Sequence, residues 1–242
     1  MKFQRDQAFD VQFDRIEGLR WYPYVGKNFA KSEARIMIFA HNIPIPAKDY
    51  DAKLEEWKAK DAWATSETIE EYTYCRGWWT KTFRAFLKGA VGLQKDFDEQ
   101  SDVEILNKVE SFIKRISYAN FIQGLVKSET QIAIAKPEQI ELSIKVNREI
   151  LKVLGVTHCI CWGKPVYEYV QRMEGFRLLS KTALEKSGFS SCSLDVGNGI
   201  VMRCLRVYHP SMPGFSPFRV ETQSIISNFL SIKASNPMQL AT

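Results

Sequence analysis

Several features that would assign a protein class at once are missing from this sequence. It has only three histidines in 242 residues, at positions too scattered for a zinc site, and it has no C-x-x-C motif. The five cysteines are an odd number, and Cys159 and Cys161 alternate within an apolar run, as buried free thiols do. We therefore expect reduced, structural cysteines in a cytoplasmic protein that uses no metal and no cofactor.

Membrane and secretion signals are also missing. Residues 1–14 are polar and mixed in charge, which predicts that there is no signal peptide, and no apolar run approaches transmembrane length. Internal repeats, low-complexity segments and linkers are absent as well. The sequence therefore predicts one domain over residues 1–242, with a core at about 21–232 and no membrane partner. It does not determine the oligomeric state, for which a monomer is the default.

The charge of the chain is close to balanced. There are 33 Lys and Arg against 28 Asp and Glu, which gives a net charge of +5. This mild excess suits an anionic partner such as DNA, although many soluble proteins carry as much. The hydrophobic content of 45% is sufficient for a sizeable core.

Four short apolar runs predict buried strands of a mainly parallel sheet. They are residues 36–40, 116–123, 156–162 and 200–207. A helix is predicted between the second and third runs, because Pro137 suits a first helical turn and Gly155 a position just after a helix. Residues 197–199, Gly-Asn-Gly, predict a hairpin turn before the last run. Pro44 and Pro46 predict that no strand continues after the first run.

Polar side chains follow the ends of three of these predicted strands. His41 follows the first run, Asn120 lies near the end of the second, and His209 follows the last in a His-Pro-Ser loop. Ligands of open α/β sheets bind at the carboxyl ends of strands, so these residues are candidates for one site. The alternative for each is an ordinary loop or strand-end side chain with structural partners, and the residues alone leave both open.

The order of these motifs resembles that of the uracil-DNA glycosylase superfamily. A first strand opening the active-site loop, a strand ending in Asn, a strand ending in Trp-Gly and a strand ending in His-Pro-Ser correspond to residues 36–41, 116–123, 161–164 and 209–211. The match is an order of motifs over about 21–232 and not an aligned identity. It implies a three-layer α/β/α sandwich on a small, mainly parallel four-stranded sheet, and hydrolysis of the N-glycosidic bond of a deaminated base flipped out of DNA.

The resemblance implies roles for particular residues. His209 would donate a hydrogen bond to the departing base, and Asn120 would bind its Watson–Crick edge. Ser211 and Lys164 would contact DNA phosphates, and Met212 is the nearest apolar side chain to wedge into the base stack.

Two parts of the superfamily pattern are not matched clearly. The stacking aromatic cannot be identified from its motif, and Tyr50 and Trp63 are the candidates. The loop after the first strand has no carboxylate in Phe-Ala-His-Asn-Ile-Pro, so His41 or Asn42 would have to position water. The missing carboxylate keeps two alternatives open: a weak or inactive member that binds nucleic acid or a nucleotide without turnover, and a scaffold that binds a small ligand or a protein.

Overall fold

The structure, a computed structural model, describes residues 5–58, 69, 80–92, 103–128, 134–184, 189–212, 214–217 and 219–232. The helices are α1 (Asp10–Phe13), α2 (Tyr50–Lys58), α3 (Thr80–Val91), α4 (Val103–Ile113), α5 (Pro137–Leu154), α6 (Lys164–Gln171) and α7 (Val220–Ser231). The strands are β1 (Tyr24–Val25), β2 (Ile36–Ala40), β3 (Ile43–Pro46), β4 (Ile116–Asn120), β5 (Leu125–Ser128), β6 (His158–Trp162), β7 (Arg177–Leu184), β8 (Phe189–Asp195) and β9 (Val201–Val207).

Among the described residues, seven strands form one mixed sheet in the order β1-β4-β2-β6-β9-β8-β7. The pairings β4–β2, β2–β6 and β6–β9 are parallel. The pairings β1–β4, β9–β8 and β8–β7 are antiparallel. Strands β3 and β5 pair with each other in a separate two-stranded parallel sheet. The protein is therefore an α/β protein with a mixed sheet.

The expected sheet of four mainly parallel strands, as in the uracil-DNA glycosylases, is wrong. Antiparallel strands extend the sheet at both edges, and half of the six pairings are antiparallel. Two of the added strands leave little signal in the sequence. β1 has only two residues, and residues 177–182 of β7 are all exposed, so β7 shows no buried stripe.

The prediction that Pro44 and Pro46 exclude a strand is also wrong, because both lie in β3. A proline removes one backbone donor, and a two-stranded sheet leaves the outer edge of each strand without a ladder, so that loss is tolerated there. The predicted hairpin is confirmed. β8 and β9 pair antiparallel, and residues 197–199 between them all have positive φ angles.

Helices cover both faces of the seven-stranded sheet. α1, α5 and α6 bury one face, which includes Met37 and Phe39, and α3, α4 and α7 bury the other, which includes Ile36 and Ile38. Alternate residues of β2 therefore enter different cores, which explains why its apolar run is continuous. Burial of apolar area on both faces is the main favourable contribution to folding.

The helix α5 fixes the segment that follows β4. The predicted caps are confirmed, since Pro137 begins the helix and Gly155 ends it with a φ of 56°. Asn147 Nδ2 donates to the carbonyl of Phe121 at 2.6 Å, and Ser143 Oγ accepts from the N–H of Gln123 at 2.9 Å. These buried bonds hold the backbone just beyond Asn120.

The described cysteines agree with the expectation of reduced, structural thiols. Cys159, Cys161, Cys192 and Cys204 are buried free thiols, and the Sγ atoms of Cys159 and Cys161 are 3.7 Å apart. Cys75 lies outside the described residues.

In the described part of the chain no helix is both long and apolar enough to cross a membrane.

Candidate functional site

Four parallel strands end together at one edge of the sheet. The last residue of β2, Ala40, pairs with Asn120 of β4, and Trp162 of β6 pairs with Val207 of β9. We call this the carboxyl edge. His41, Asn120 and His209 all lie at it, so the structure places the three candidate residues where strand order and register predict a site.

Two local anchors fix the imidazole of His209. Its Nδ1 is 2.7 Å from Ser211 Oγ and accepts the backbone N–H of Ser211 at 3.4 Å. A nitrogen that accepts a backbone N–H carries no proton itself, so in the neutral ring the proton lies on Nε2. The ring also packs edge-on against Trp162, with centroids 5.8 Å apart and planes at 88°. His209 is thus held as a donor through Nε2.

Burial keeps both histidines of the carboxyl edge neutral. Desolvation, reinforced by the nearby His41, lowers the pKa of His209 to about 4. Desolvation also lowers the pKa of His41. At neutral pH the edge therefore offers two uncharged imidazoles and not imidazolium cations.

Three polar groups at the carboxyl edge have no partner within the described chain. His41 Nε2 is buried without a hydrogen bond. Within the same residues, neither the Asn120 amide, on a side chain with 8% exposure, nor His209 Nε2 bonds to another protein group. Of these groups only His41 Nε2 is fully buried, and the other two are open to a ligand or water as their partner.

Gly163 lies at the carboxyl edge, directly after β6. It follows β6, which lies between β2 and β9 in the sheet, and its φ of 93° disfavours any side chain. Apart from the neighbouring residues Trp162 and Lys164, the only described atom within 4 Å of the position that a Cβ would take is Cδ of Pro165, at 3.7 Å. The backbone of Gly163 is therefore little covered on that side.

The other candidate residues have more ordinary surroundings. Ser211 is exposed and bonds to His209, Met212 is 56% exposed, and Lys164 pairs with Glu168 at 3.5 Å. Their proposed DNA contacts stay predictions. Asn42 is partly buried beside His41 in the loop after β2.

Tyr50, the described candidate for base stacking, packs in a small cluster with Trp21 and Leu125 under the second sheet. Its hydroxyl donates to the carbonyl of Leu125 at 3.5 Å. Trp63, the other candidate, lies outside the described residues.

The sequence analysis did not identify Tyr169, whose ring centroid is 6.2 Å from that of His41. The only available signal was its place on the short helix after Trp-Gly.

Acidification from pH 7 to pH 5 is expected to destabilise the protein. Burial lowers the pKa of His41, His158 and His209 below 6.5, so the unfolded chain binds more protons between pH 6.5 and about 4. Stability is therefore complete above pH 6.5 and falls as the pH decreases through this window. His209 alone accounts for a loss on the order of 1–2 kcal/mol. Urea unfolding at pH 7 and pH 5 measures the difference in the free energy of unfolding, and this difference should be smaller in His209→Asn. Equal free energies of unfolding of the wild type at both pH values would contradict the prediction.

Comparison with known proteins assigns no family. No protein-family model matches the sequence. No curated protein matches it significantly. The geometry of the carboxyl edge is therefore the basis for any statement about function.

Proposed function

We propose that this protein is a uracil-DNA glycosylase-like, cytoplasmic enzyme that binds a nucleobase extruded from DNA and hydrolyses its N-glycosidic bond. The observation that carries the proposal is the neutral His209, held by Ser211 as an Nε2–H donor, at an edge where His41 Nε2 and the Asn120 amide bond to no other described residue. An extruded base presents the planar pattern of donors and acceptors that such groups bind.

His209 stabilises the leaving group in this proposal. As the glycosidic bond breaks, negative charge develops on the base and its carbonyl oxygens. An Nε2–H that is already oriented by Ser211 and Trp162 donates to such an oxygen without reorganisation during the reaction. The lowered pKa of His209 keeps the ring neutral, so the base is bound through a hydrogen bond before charge develops.

Asn120 supplies recognition of the base. An amide offers one donor group and one acceptor, which complement the adjacent carbonyl and N–H on the Watson–Crick edges of uracil and hypoxanthine. The backbone beyond Asn120 is fixed by the bonds from Asn147 and Ser143. The amide therefore projects from a rigid strand end, as selective recognition requires.

His41 is the candidate for positioning water. The loop after β2 has no carboxylate, and Asp49 lies in the turn that follows β3 of the second sheet. His41 is neutral, and its buried Nε2 lacks a partner. A neutral imidazole orients water but does not stabilise a sugar cation as a carboxylate does, so slow turnover is expected. This weakness also favours the second candidate function, binding of a base without hydrolysis.

The test is a single-turnover cleavage assay with excess protein. Single- and double-stranded oligonucleotides that contain uracil, hypoxanthine or mismatched thymine are incubated and then cleaved at abasic sites. Wild-type protein should release at least one base, and the double variant His209→Ala/Asn120→Ala should release none. Binding without product on every substrate would reject hydrolysis and support the second candidate. Product from the double variant would place the chemistry elsewhere.

A further inference from the structure

Tyr208 is a large aromatic side chain that remains exposed beside the candidate site. Its exposed fraction is 40%, although the strand residue before it, Val207, is fully buried. It directly precedes His209, so the two Cα atoms are about 3.8 Å apart. An exposed aromatic ring next to a group that binds a ligand is a candidate for contact with the same ligand.

The ring of Tyr208 is held in place by its surroundings. A Cβ at Gly214 would lie 3.1–3.2 Å from three consecutive ring atoms, Cγ, Cδ1 and Cε1 of Tyr208. The near equality of these distances means that one side of the ring lies flat over the Gly214 backbone. The ring of Phe189 meets it edge-on, with centroids 6.5 Å apart and planes at 75°. Tyr208 thus loses little further freedom when something stacks on its exposed side.

The turn that contains His209 gives both residues one fixed frame. The N–H of Met212 donates to the carbonyl of His209 at 2.8 Å, and the N–H of Phe215 donates to Met212 at 2.9 Å. Gly214, the support for Tyr208, lies inside this series of turns. The Tyr208 platform and the His209 imidazole therefore keep a constant spacing, as recognition of two adjacent groups on one ligand requires.

We propose that Tyr208 is a stacking platform for the unpaired nucleobase next to the one that His209 binds, and that the preferred ligand is single-stranded. The inference rests on the proposed function only in that the carboxyl edge receives a nucleic acid, and it does not require hydrolysis. In a duplex, pairing and stacking already occupy the neighbouring base. In a single strand that base is free to stack, and stacking on an aromatic ring is worth about 1–3 kcal/mol per base.

The test measures binding of a short, single-stranded oligothymidylate with one central uracil, whose glycosidic bond is stabilised by a 2′-fluoro group. Dissociation constants come from fluorescence anisotropy. Tyr208→Ala should weaken binding about 5- to 150-fold, which is the stacking free energy converted to affinity. Tyr208→Phe keeps the ring and should bind within about twofold of wild type, and thermal unfolding confirms that both variants fold.

A matched change in the ligand separates stacking from a general loss of structure. Oligonucleotides with an abasic analogue on either side of the uracil remove one neighbouring base at a time. With the relevant base removed, wild type and Tyr208→Ala should bind alike. Equal binding of wild type and Tyr208→Ala to the complete strand, or the same loss with the abasic ligands, would overturn the inference.

The outcomes also separate this inference from the proposed function. Binding that depends on Tyr208 without any release of base would retain the platform and reject hydrolysis. Release of base with binding that is indifferent to Tyr208→Ala would retain hydrolysis and reject the platform. A duplex that binds wild type more tightly than the matching single strand would reject the preference for unpaired ligands.

Discussion

Replacement of His209 by alanine is expected to lower the single-turnover rate of base release by about 100- to 1,000-fold. This is the usual cost of removing one preorganised donor to a developing anion. His209 meets the requirements for such a donor, because Ser211 occupies Nδ1 and burial holds the pKa at about 4. Rates of uracil release under single-turnover conditions measure the effect.

Ser211→Ala and an exposed control variant make this experiment specific. Ser211→Ala removes the hydroxyl at Nδ1 but leaves the backbone N–H, so its loss of rate should be smaller than that of His209→Ala. Leu178→Ala, at a half-exposed position on β7, should react at the wild-type rate. An unchanged rate in His209→Ala would remove His209 from the reaction and with it the proposed mechanism.

Replacement of Trp162 by alanine is expected to lower the free energy of unfolding by about 3–5 kcal/mol, the range for large aromatic residues in cores. Trp162 is 2% exposed, and its ring lies 5.2 Å from Phe86, 5.6 Å from Tyr118 and 6.2 Å from Phe83 between centroids. These rings join β4, β6 and α3, so truncation leaves a cavity between a helix and the sheet. Urea unfolding measures the loss.

Trp162→Phe is the matched control for this prediction. The buried Nε1 of Trp162 bonds to no other described residue, so phenylalanine sacrifices volume but no hydrogen bond. We expect a cost of about 1–2 kcal/mol for this smaller cavity. Since Trp162 also buries one side of His209, the pKa of His209 should rise toward 6.5 in Trp162→Ala. Wild-type stability and an unchanged His209 pKa in that variant would refute this account of the aromatic cluster.

The strand ends were predictable because their signals are local. A continuous apolar run needs burial on both faces, and the polar residue that follows it has to leave the core, so His41, Asn120 and His209 were placed at strand ends from sequence alone. Their meeting at one edge depends on the spatial order of the strands, which the sequence does not show and which the pairings of β2, β4, β6 and β9 give directly.

The parts that sequence reasoning missed depend on distant partners. Residues 177–182 of β7 are exposed on both faces, and the pairing with β8 makes this segment a strand. β3 forms despite its two prolines because it pairs in parallel with β5. The tautomer of His209 depends on Ser211, and its lowered pKa depends on burial against Trp162 and on His41. No pattern within the His-Pro-Ser loop predicts this lowered pKa.

The exposure of β7 has a consequence for the behaviour of the protein at high concentration. Among the described residues β7 is the last strand of the sheet, so its outer row of backbone groups is a template on which another chain can add a strand and begin aggregation. The pairing of β7 with β8 is irregular between Leu178 and Ser180, and the cationic Lys181 follows this irregularity, while Arg177 pairs with Asp195 at 3.1 Å. Irregular pairing and a charged side chain make a strand edge a poor template, so this part of β7 disfavours edge-to-edge association with another copy.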